Sequence, residues 1–231
     1  SSWGRDLKNG QSLIDLMEAI CTAAPSLRLR LGSLEPRTVT EDFCRRAAAL
    51  PNLCPHFHLS LQSGCDATLK RMNRHYTSEE YYEKCVLLRK YFDNPALTTD
   101  VIVGFPGETE EEFAQSKAFI DKVDFYETHV FKYSKRAGTR AAQMEEQVPE
   151  SVKAVRSNEL LELTRRKQAS YEEALVGTTQ EVLMEEEMIC QGEIYQVGHT
   201  KEYVKIGQKT EENLTNQLIN VEIENRLQII H

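Results

Sequence analysis

The stretch HFHLSLQSGC, His56–Cys65, alternates apolar and polar side chains. In an extended chain its two leucines point to one face, and His58, Ser60 and Gln62 point to the other. The stretch therefore predicts a strand with one apolar and one polar face. If this strand lies in a buried sheet, its three polar side chains need hydrogen-bond partners, so they are candidate site residues.

Helical and extended patterns alternate on both sides of this stretch. A helix followed by a strand occurs four times, and a long charged helical pattern at about 150–175 follows. The four strands are expected near residues 27–33, 56–62, 97–104 and 127–133. Alternation of this kind indicates an α/β fold with parallel strands and right-handed crossovers, either an open doubly wound sheet or a barrel.

Three predicted helices begin with the sequence spacing of a helix cap. A threonine followed three residues later by a glutamate has the spacing of a capping box, which satisfies free N–H groups of the first helical turn. The predicted boxes are Thr38 with Glu41, Thr77 with Glu80, and Thr109 with Glu112. They support the helix assignments beyond propensity alone.

After Gly177 the pattern changes to short β-like runs broken by glycine and asparagine. These runs predict a small all-β barrel over residues 177–231, preceded by an α/β unit over residues 1–176. From Thr178 onward there are ten glutamates but four lysines or arginines, and the whole chain has a formal net charge of -8. This acidic balance argues against a basic nucleic-acid-binding module.

The six cysteines are scattered without a C-x-x-C pair, which argues against a zinc site and against a disulfide framework. No metal site is therefore predicted in this chain. No run reaches the roughly 18 apolar residues of a membrane span, and the start lacks the apolar region of a signal peptide. The expected setting is cytoplasmic, with reduced thiols and no membrane partner.

Barrels of parallel strands build their sites at the C-terminal ends of the strands. Glu35 and Gln62 fall at such ends, whereas Asp100 begins the apolar run DVIVGF and is expected to lie deeper, where its carboxylate needs a donor. GFPGET, Gly104–Thr109, joins a glycine-containing turn to a helix start, which favours anions. A structural turn and satisfied buried polar groups are the alternative interpretations.

Three segments together resemble the radical SAM methylthiotransferases: HLSLQSGCDATLKRMNRHYTSEEYYE, TTDVIVGFPGETEEEF and VFKYSKRAGTRA. The resemblance implies the C-terminal part of a TIM-like radical SAM barrel, followed by a TRAM-like domain similar to the one that holds the substrate in this family. The implied activity is tRNA modification by reductive cleavage of S-adenosylmethionine.

The segments RLRLGSLEP and HFHLSLQSG are most similar to one branch of this family. That branch converts N6-threonylcarbamoyladenosine next to the tRNA anticodon to its 2-methylthio derivative. The isopentenyladenosine branch and the ribosomal-protein branch are the alternatives.

The resemblance also implies site residues. S-adenosylmethionine would be bound by Glu35, Gln62, Arg74 and Asp100, with Ser134 beside the adenine through its backbone. Carboxylates and an amide suit the ribose hydroxyls and the ammonium group, and a guanidinium suits the methionyl carboxylate.

Other polar residues have weaker expectations. Arg136 and Arg140 are candidates for contacts with RNA phosphates, with a solvated loop as the alternative. His58 and Ser60 would line the cofactor cavity. His129, like His75, is interpreted as structural.

The sequence departs from the family in one respect. The family holds a [4Fe–4S] cluster in a C-x-x-x-C-x-x-C loop and a second cluster in an N-terminal domain, and neither spacing occurs here. The catalytic residues are therefore unidentified, and the chain is expected to be an inactive fragment without a cluster. SSWGRDL resembles the end of a second barrel strand. Because a closed barrel needs about eight strands, one sheet edge should be open and could support dimerisation.

Two other classes of function stay open. A non-radical α/β-barrel enzyme would use His58, Glu35 and Asp100 as acid and base groups. An RNA-binding module without catalysis would depend on the β-domain, whose acidic charge opposes phosphate binding.

Overall fold

The structure is a computed structural model that describes residues 3, 4, 6, 9–190 and 192–230. The similarity predicted for SSWGRDL falls mainly on residues 1, 2, 5 and 7, which lie outside the described ones. Within the described residues, none of the helices combines the length and hydropathy that a membrane crossing requires.

The helices are α1 (Leu13–Ala23), α2 (Glu41–Ala48), α3 (Asp66–Arg71), α4 (Ser78–Tyr91), α5 (Glu110–Val123), α6 (Arg140–Gln143) and α7 (Glu150–Glu173). The strands are β1 (Ser33–Leu34), β2 (His56–Leu59), β3 (Ala96–Val103), β4 (Glu127–Lys132), β5 (Thr179–Cys190), β6 (Glu193–His199), β7 (Lys205–Lys209) and β8 (Leu218–Glu222).

The first four strands form one parallel sheet in the order β1-β2-β3-β4. The predicted parallel α/β arrangement is confirmed, and three strands lie close to their expected positions. The first strand was predicted too long, because only two residues of β1 form a ladder and Leu29 adds an isolated bridge to Leu53. Next to Leu29, the Arg30 guanidinium stacks on the ring of Tyr203, 3.9 Å from its centroid, and this contact lies outside the sheet.

Two of the predicted capping boxes are present. Thr77 Oγ1 accepts a hydrogen bond from the Glu80 amide at 3.2 Å, and the Thr77 amide donates to Glu80 Oε2 at 2.8 Å. Thr109 and Glu112 have the same reciprocal arrangement at the start of α5. The third predicted box is wrong, because Thr38 ends a 3-10 turn that Pro36 begins. The N-cap of α2 is Thr40.

Helices seal one face of the parallel sheet. Phe57, Leu59 and Leu61 alternate along the quoted stretch, and all three are buried in the main apolar core. Tyr81 of α4 lies in the same core and donates a hydrogen bond to the Leu59 carbonyl at 2.8 Å. The apolar face predicted from the sequence is therefore the helix-covered face, and His58 lies on the opposite, concave face.

The last four strands form an antiparallel sheet in the order β7-β6-β5-β8. The short runs predicted after Gly177 are in part longer, because β5 is one strand of 12 residues with a register shift between Met184 and Glu186. A bulge of this kind bends a strand without ending it. A second, all-β element is present, whereas closure into a barrel is not established, and the likeness to a TRAM domain stays a prediction.

The antiparallel sheet packs against the N-terminal edge of the parallel sheet. Ala96 begins β3 and Tyr126 precedes β4, and both belong to the apolar cluster that fills the second sheet. Arg28 donates hydrogen bonds to the carbonyl oxygens of His199 and Glu181 at 2.8 and 2.7 Å. Apolar contacts and charged hydrogen bonds thus join the two sheets at this edge.

The predicted division at Gly177 stays a prediction. Gly177 lies between α7 and β5 with φ +82°, a left-handed conformation that suits glycine. The apolar cluster of the second sheet nevertheless includes residues from both sides of this position. In the described part of the chain, β1 and β4 each have one neighbouring strand, so both edges of the parallel sheet are open. Dimerisation through such an edge likewise stays a prediction.

Candidate functional site

The concave face of the parallel sheet carries polar side chains from successive strands. His58 on β2 lies with Nδ1 at 3.0 Å from Thr98 Oγ1 and Nε2 at 3.2 Å from Asp100 Oδ2 on β3. His129 on β4 is the register partner of Asp100. Asp100 occupies the middle of its strand, and His58 is the donor that its carboxylate needs. The polar face of the quoted stretch thus belongs to a cross-strand network.

Gln62 lies where the chain leaves β2. Its φ of 72° is left-handed, which is uncommon for a residue other than glycine, asparagine or aspartate. The neighbouring strand holds this backbone, because the Gln62 amide donates to the Asp100 carbonyl at 2.8 Å and its carbonyl accepts from the Ile102 amide at 2.9 Å. Non-glycine residues in this conformation cluster at functional sites. Gln62 is therefore a strong candidate site residue.

The larger cavity at the C-terminal edge of the sheet contains three of the predicted cofactor residues. It has a volume of about 580 Å³, within the usual range for ligand sites. We call it the Gln62 cavity. Its lining residues are Gln62, Asp100, Ile102, Phe105, Phe131, Lys132, Tyr133, Ser134, Arg136, Thr139 and Ala141. The set combines an amide, a carboxylate and hydroxyls with aromatic rings, which suits a nucleoside with polar substituents.

The other two predicted cofactor residues lie in a separate cavity of about 210 Å³, which we call the Glu35 cavity. Glu35 and Arg74 line it together with Ser60 and His75. The Glu35 carboxylate forms an ion pair with Arg37 at 3.1 Å, and Arg74 is exposed. The five predicted residues thus divide between two cavities.

Tyr76 also lines the Glu35 cavity and fixes the segment that separates it from the Gln62 cavity. Its hydroxyl lies 2.9 and 2.8 Å from the carbonyl oxygens of Ser60 and Leu61 and donates to this pair. Burial raises the pKa of Tyr76 to about 12, so the hydroxyl keeps its proton at neutral pH. Of the two residues predicted to line the cofactor cavity, Ser60 lines the Glu35 cavity, whereas His58 bonds to Asp100 on the concave face.

The GFPGET loop is a structural turn. The buried Glu108 carboxylate accepts hydrogen bonds from the Gly104 amide at 3.0 Å and from Arg156 at 2.7 Å. Burial raises the pKa of Glu108, although both donors favour its charged form. A Cβ at Gly104 would come within 2.3 Å of Lys153 Cγ, so close packing requires glycine there. Because Thr109 and Glu112 already cap the following helix, its N-terminus gives no separate anion site.

The predicted RNA-binding arginines are exposed beside the Gln62 cavity. Arg136 lines the cavity, and Arg140 is the first residue of α6. Neither has a carboxylate within ion-pair distance among the described residues. Lys167 of α7 differs, because it is bound to Asp121 and Asp124 at 2.7 and 3.0 Å. Arg136 and Arg140 are thus available for a ligand, whereas Lys167 is engaged in the protein.

The cysteines of this chain do not fit an iron–sulfur cluster. In the parts of the chain that the structure describes, five cysteines are buried and unpaired. Burial raises the pKa of Cys44 to about 11 and that of Cys85 to about 12, which opposes the thiolate that a cluster requires. Three side chains with metal-ligating atoms lie together in these same residues, and none is a cysteine: His58, Asp100 and His129.

Sequence reasoning did not select Tyr133, and it interpreted His129 as structural. Tyr133 lines the Gln62 cavity, and its hydroxyl oxygen is buried without a hydrogen-bond partner. Because this oxygen is shielded from solvent, a ligand in the cavity would reach it only after a local rearrangement. His129, interpreted as structural, is 44% exposed on the concave face near Asp100. The position of Tyr133, directly before Ser134 at the end of a strand, was the signal present in the sequence.

Comparison with known proteins shows what this fold is similar to. Residues 11–120 match the family model of the Radical SAM superfamily. The chain also aligns with coproporphyrinogen III oxidase from Escherichia coli, a Radical SAM enzyme, with a TM-score of 0.56 and 11% identity over 87% of this chain and 52% of that one. The structural likeness supports a TIM-like α/β fold with a parallel sheet, and the family model covers slightly less than half of the chain.

Sequence relatives give a more specific comparison than the fold does. The chain is homologous to tRNA-2-methylthio-N(6)-dimethylallyladenosine synthases. It is 40% identical over 185 residues to that of Clostridium botulinum (strain Loch Maree), covering 80% of this chain and 41% of the relative. It is 35% identical over 223 residues to that of Acetivibrio thermocellus, covering 96% of this chain and 46% of the relative. The chain thus spans less than half the length of these relatives.

Proposed function

We propose that this chain is part of a radical SAM enzyme that adds a methylthio group to a tRNA adenosine. One observation carries the proposal: a cavity at the C-terminal edge of the parallel sheet combines Gln62, Asp100 and Ser134. The homologous relatives named above support the reaction class.

S-adenosylmethionine, when bound, supplies the methyl group and the radical-generating chemistry of this class. In our proposal Asp100 and Gln62 bind its polar groups, and Tyr133 lines the same cavity. His58 orients the Asp100 carboxylate through the contact of 3.2 Å. The Glu35 cavity would take the methionyl end of the cofactor, where Arg74 pairs with the carboxylate. No step is assigned to a cluster, because the cysteines of the described residues do not fit one.

Two tRNA substrates are candidates, and different observations favour them. The names of the relatives favour N6-dimethylallyladenosine, and they support this alternative better than the threonylcarbamoyl branch. The segments RLRLGSLEP and HFHLSLQSG favour N6-threonylcarbamoyladenosine by resemblance. The polar concave face adds support for the second candidate, since a threonylcarbamoyl group carries a carboxylate and a hydroxyl whereas a dimethylallyl group is apolar.

A direct assay separates these candidates. The full-length protein, reconstituted with iron and sulfide, is incubated with S-adenosylmethionine and with tRNA bearing either modification, and the nucleosides are analysed by mass spectrometry. A 2-methylthio product from one tRNA identifies the substrate. Absence of product from both tRNAs, with a full complement of iron and intact cofactor cleavage, would contradict the proposed reaction. The 231-residue chain should by itself yield no product and bind S-adenosylmethionine weakly.

We propose that Arg136 and Arg140 bind the tRNA phosphates, because the β-domain is acidic. Replacing both with alanine in the full-length protein should weaken tRNA binding and reduce its salt dependence by about one unit of slope for each phosphate that is no longer neutralised. Cleavage of S-adenosylmethionine without tRNA is the second readout. A failure of that cleavage would place Arg136 in the cofactor site, and unchanged tRNA affinity would defeat the assignment.

A further inference from the structure

We propose that His58, Asp100 and His129 form a binding site for a divalent transition-metal ion such as Zn²⁺ on the concave face of the parallel sheet. The three side chains come from β2, β3 and β4, and their potential ligand atoms all lie within 4.8 Å of one another. This site is distinct from any iron–sulfur cluster. It uses the Asp100 carboxylate that the proposed function assigns to S-adenosylmethionine, so the ion and the cofactor would compete for this residue.

The ligand set matches the preferences of such ions. Two imidazoles and one carboxylate are a common set for zinc and for ferrous iron, and three protein ligands leave a position for water or another ligand. Ligands of one zinc ion lie about 2.0–2.2 Å from the metal, so their atoms are about 3.3 Å apart in a tetrahedral site. His58 Nε2 and Asp100 Oδ2 are already 3.2 Å apart.

His129 is the ligand that must move, and it has room to do so. Its side chain is 44% exposed, and its contact with Glu127 is long, at 3.8 Å. The His58 and His129 rings are nearly parallel, with centroids 5.9 Å apart and an interplanar angle of 28°. A small rotation of the His129 ring would therefore bring its nitrogen to an ion already held by the other two residues.

Thr98 contacts the side of the His58 ring that faces away from the proposed ion. Its buried hydroxyl lies 3.0 Å from His58 Nδ1, the ring nitrogen that points away from Asp100. When this hydroxyl accepts the Nδ1 proton, the Nε2 lone pair faces the ion, as metal-binding histidines require. Without an ion the same hydroxyl donates to Nδ1, and Nε2–H donates to Asp100, so the empty network is also satisfied.

The test is a titration of the chain with Zn²⁺ against a chromophoric competitor, repeated with Co²⁺ for its visible spectrum. We expect one equivalent to bind, without the charge-transfer band of cobalt thiolates. His58→Gln and His129→Gln should each weaken binding at least about tenfold, and Thr98→Val by about 10–100-fold. His75→Gln and Glu127→Gln are controls that remove a histidine elsewhere and the nearest carboxylate outside the site, and both should bind normally.

Three outcomes would overturn the proposal: no stoichiometric binding, equal binding by His129→Gln and the parent chain, or a thiolate band with Co²⁺. His129 is exposed, so its variant should fold even if His58→Gln does not, and thermal unfolding of each variant without metal checks this. Binding that survives in Thr98→Val but is abolished in His129→Gln supports the three-ligand site and removes only the role given to Thr98.

Discussion

The two edges of the parallel sheet differ in what covers them. At the N-terminal edge, Arg28, Ala96 and Tyr126 are packed or hydrogen-bonded against the antiparallel sheet. At the C-terminal edge, two cavities are lined by polar side chains, including Asp100 and Gln62. In barrels of parallel strands, residues at the first edge serve stability and residues at the second serve chemistry. The most direct test of this division is whether substitutions at the two edges affect different measurements.

The largest expected effect on stability lies at the C-terminal edge, so it would be an exception to the division between the two edges. Arg156 pairs with the buried Glu108 carboxylate of the GFPGET loop at 2.7 Å. Arg156→Leu should lower the free energy of unfolding by about 3–5 kcal/mol, since an unpaired charge would remain buried. Glu110→Gln, which removes the exposed partner of Arg156, is the control and should change little in urea unfolding. An equal decrease in both variants would rule out the buried pair as the cause.

The second prediction concerns pH at the N-terminal edge. Burial, and next the charge of Arg30, lowers the pKa of His56 from 6.5 to about 4. The unfolded chain therefore binds a proton between these pH values that the folded chain does not bind. Stability should be fully present above pH 6.5 and fall by about 3 kcal/mol as pH decreases to about 4.

His56→Phe keeps an aromatic ring beside Tyr203 and removes the titration. Urea unfolding of this variant and of the parent chain at several pH values measures the difference in slope. His75→Gln, at an exposed histidine of the opposite edge, should keep the slope of the parent. If His56→Phe has that same slope, the protonation of His56 does not control stability at this edge.

The third prediction addresses the polar contacts between the two sheets. Arg28→Met should lower the free energy of unfolding by about 2 kcal/mol, because the carbonyls of His199 and Glu181 would be left without their charged donor. Arg37→Met at the C-terminal edge is the matched variant, and its exposed ion pair with Glu35 should contribute less than about 1 kcal/mol. Equal decreases in the free energy of unfolding for the two variants would contradict an energetic difference between the edges.

The smallest effect on stability is expected at the centre of the site. Asp100→Asn should change the free energy of unfolding by less than about 1 kcal/mol, because the amide oxygen can still accept from His58. In the full-length protein the same substitution should weaken binding of S-adenosylmethionine at least about tenfold, measured by calorimetry. Asp93→Asn, at an exposed aspartate, is the control for both measurements. A large decrease in stability with unchanged cofactor affinity would make Asp100 a structural residue.

The sequence was informative where local chemistry determines structure. Alternation in the quoted stretch located β2 and its buried face, and Thr77 and Thr109 marked their helices. Thr38 misled because Pro36, two residues earlier, begins a turn of its own. The stacking of Arg30 on Tyr203, next to the predicted first strand, is a distant contact that no local pattern contains.

The sequence predicted individual residues of the candidate site but not which of them lie together. Gln62, Asp100 and Ser134 meet in one cavity, whereas Glu35 and Arg74 lie in another. The proximity of His129 to His58 depends on strand register, which connects residues about 70 positions apart.

The left-handed backbone of Gln62 also reflects a conflict between two kinds of selection. Selection for stability alone would favour glycine or asparagine at this position, since both adopt such a conformation more easily. Selection for ligand binding would retain the longer amide side chain that lines the cavity. Glutamine at this position places a long amide side chain in the cavity at a small expected loss of stability. Drift in a lineage that no longer bound its ligand should therefore reach this position early.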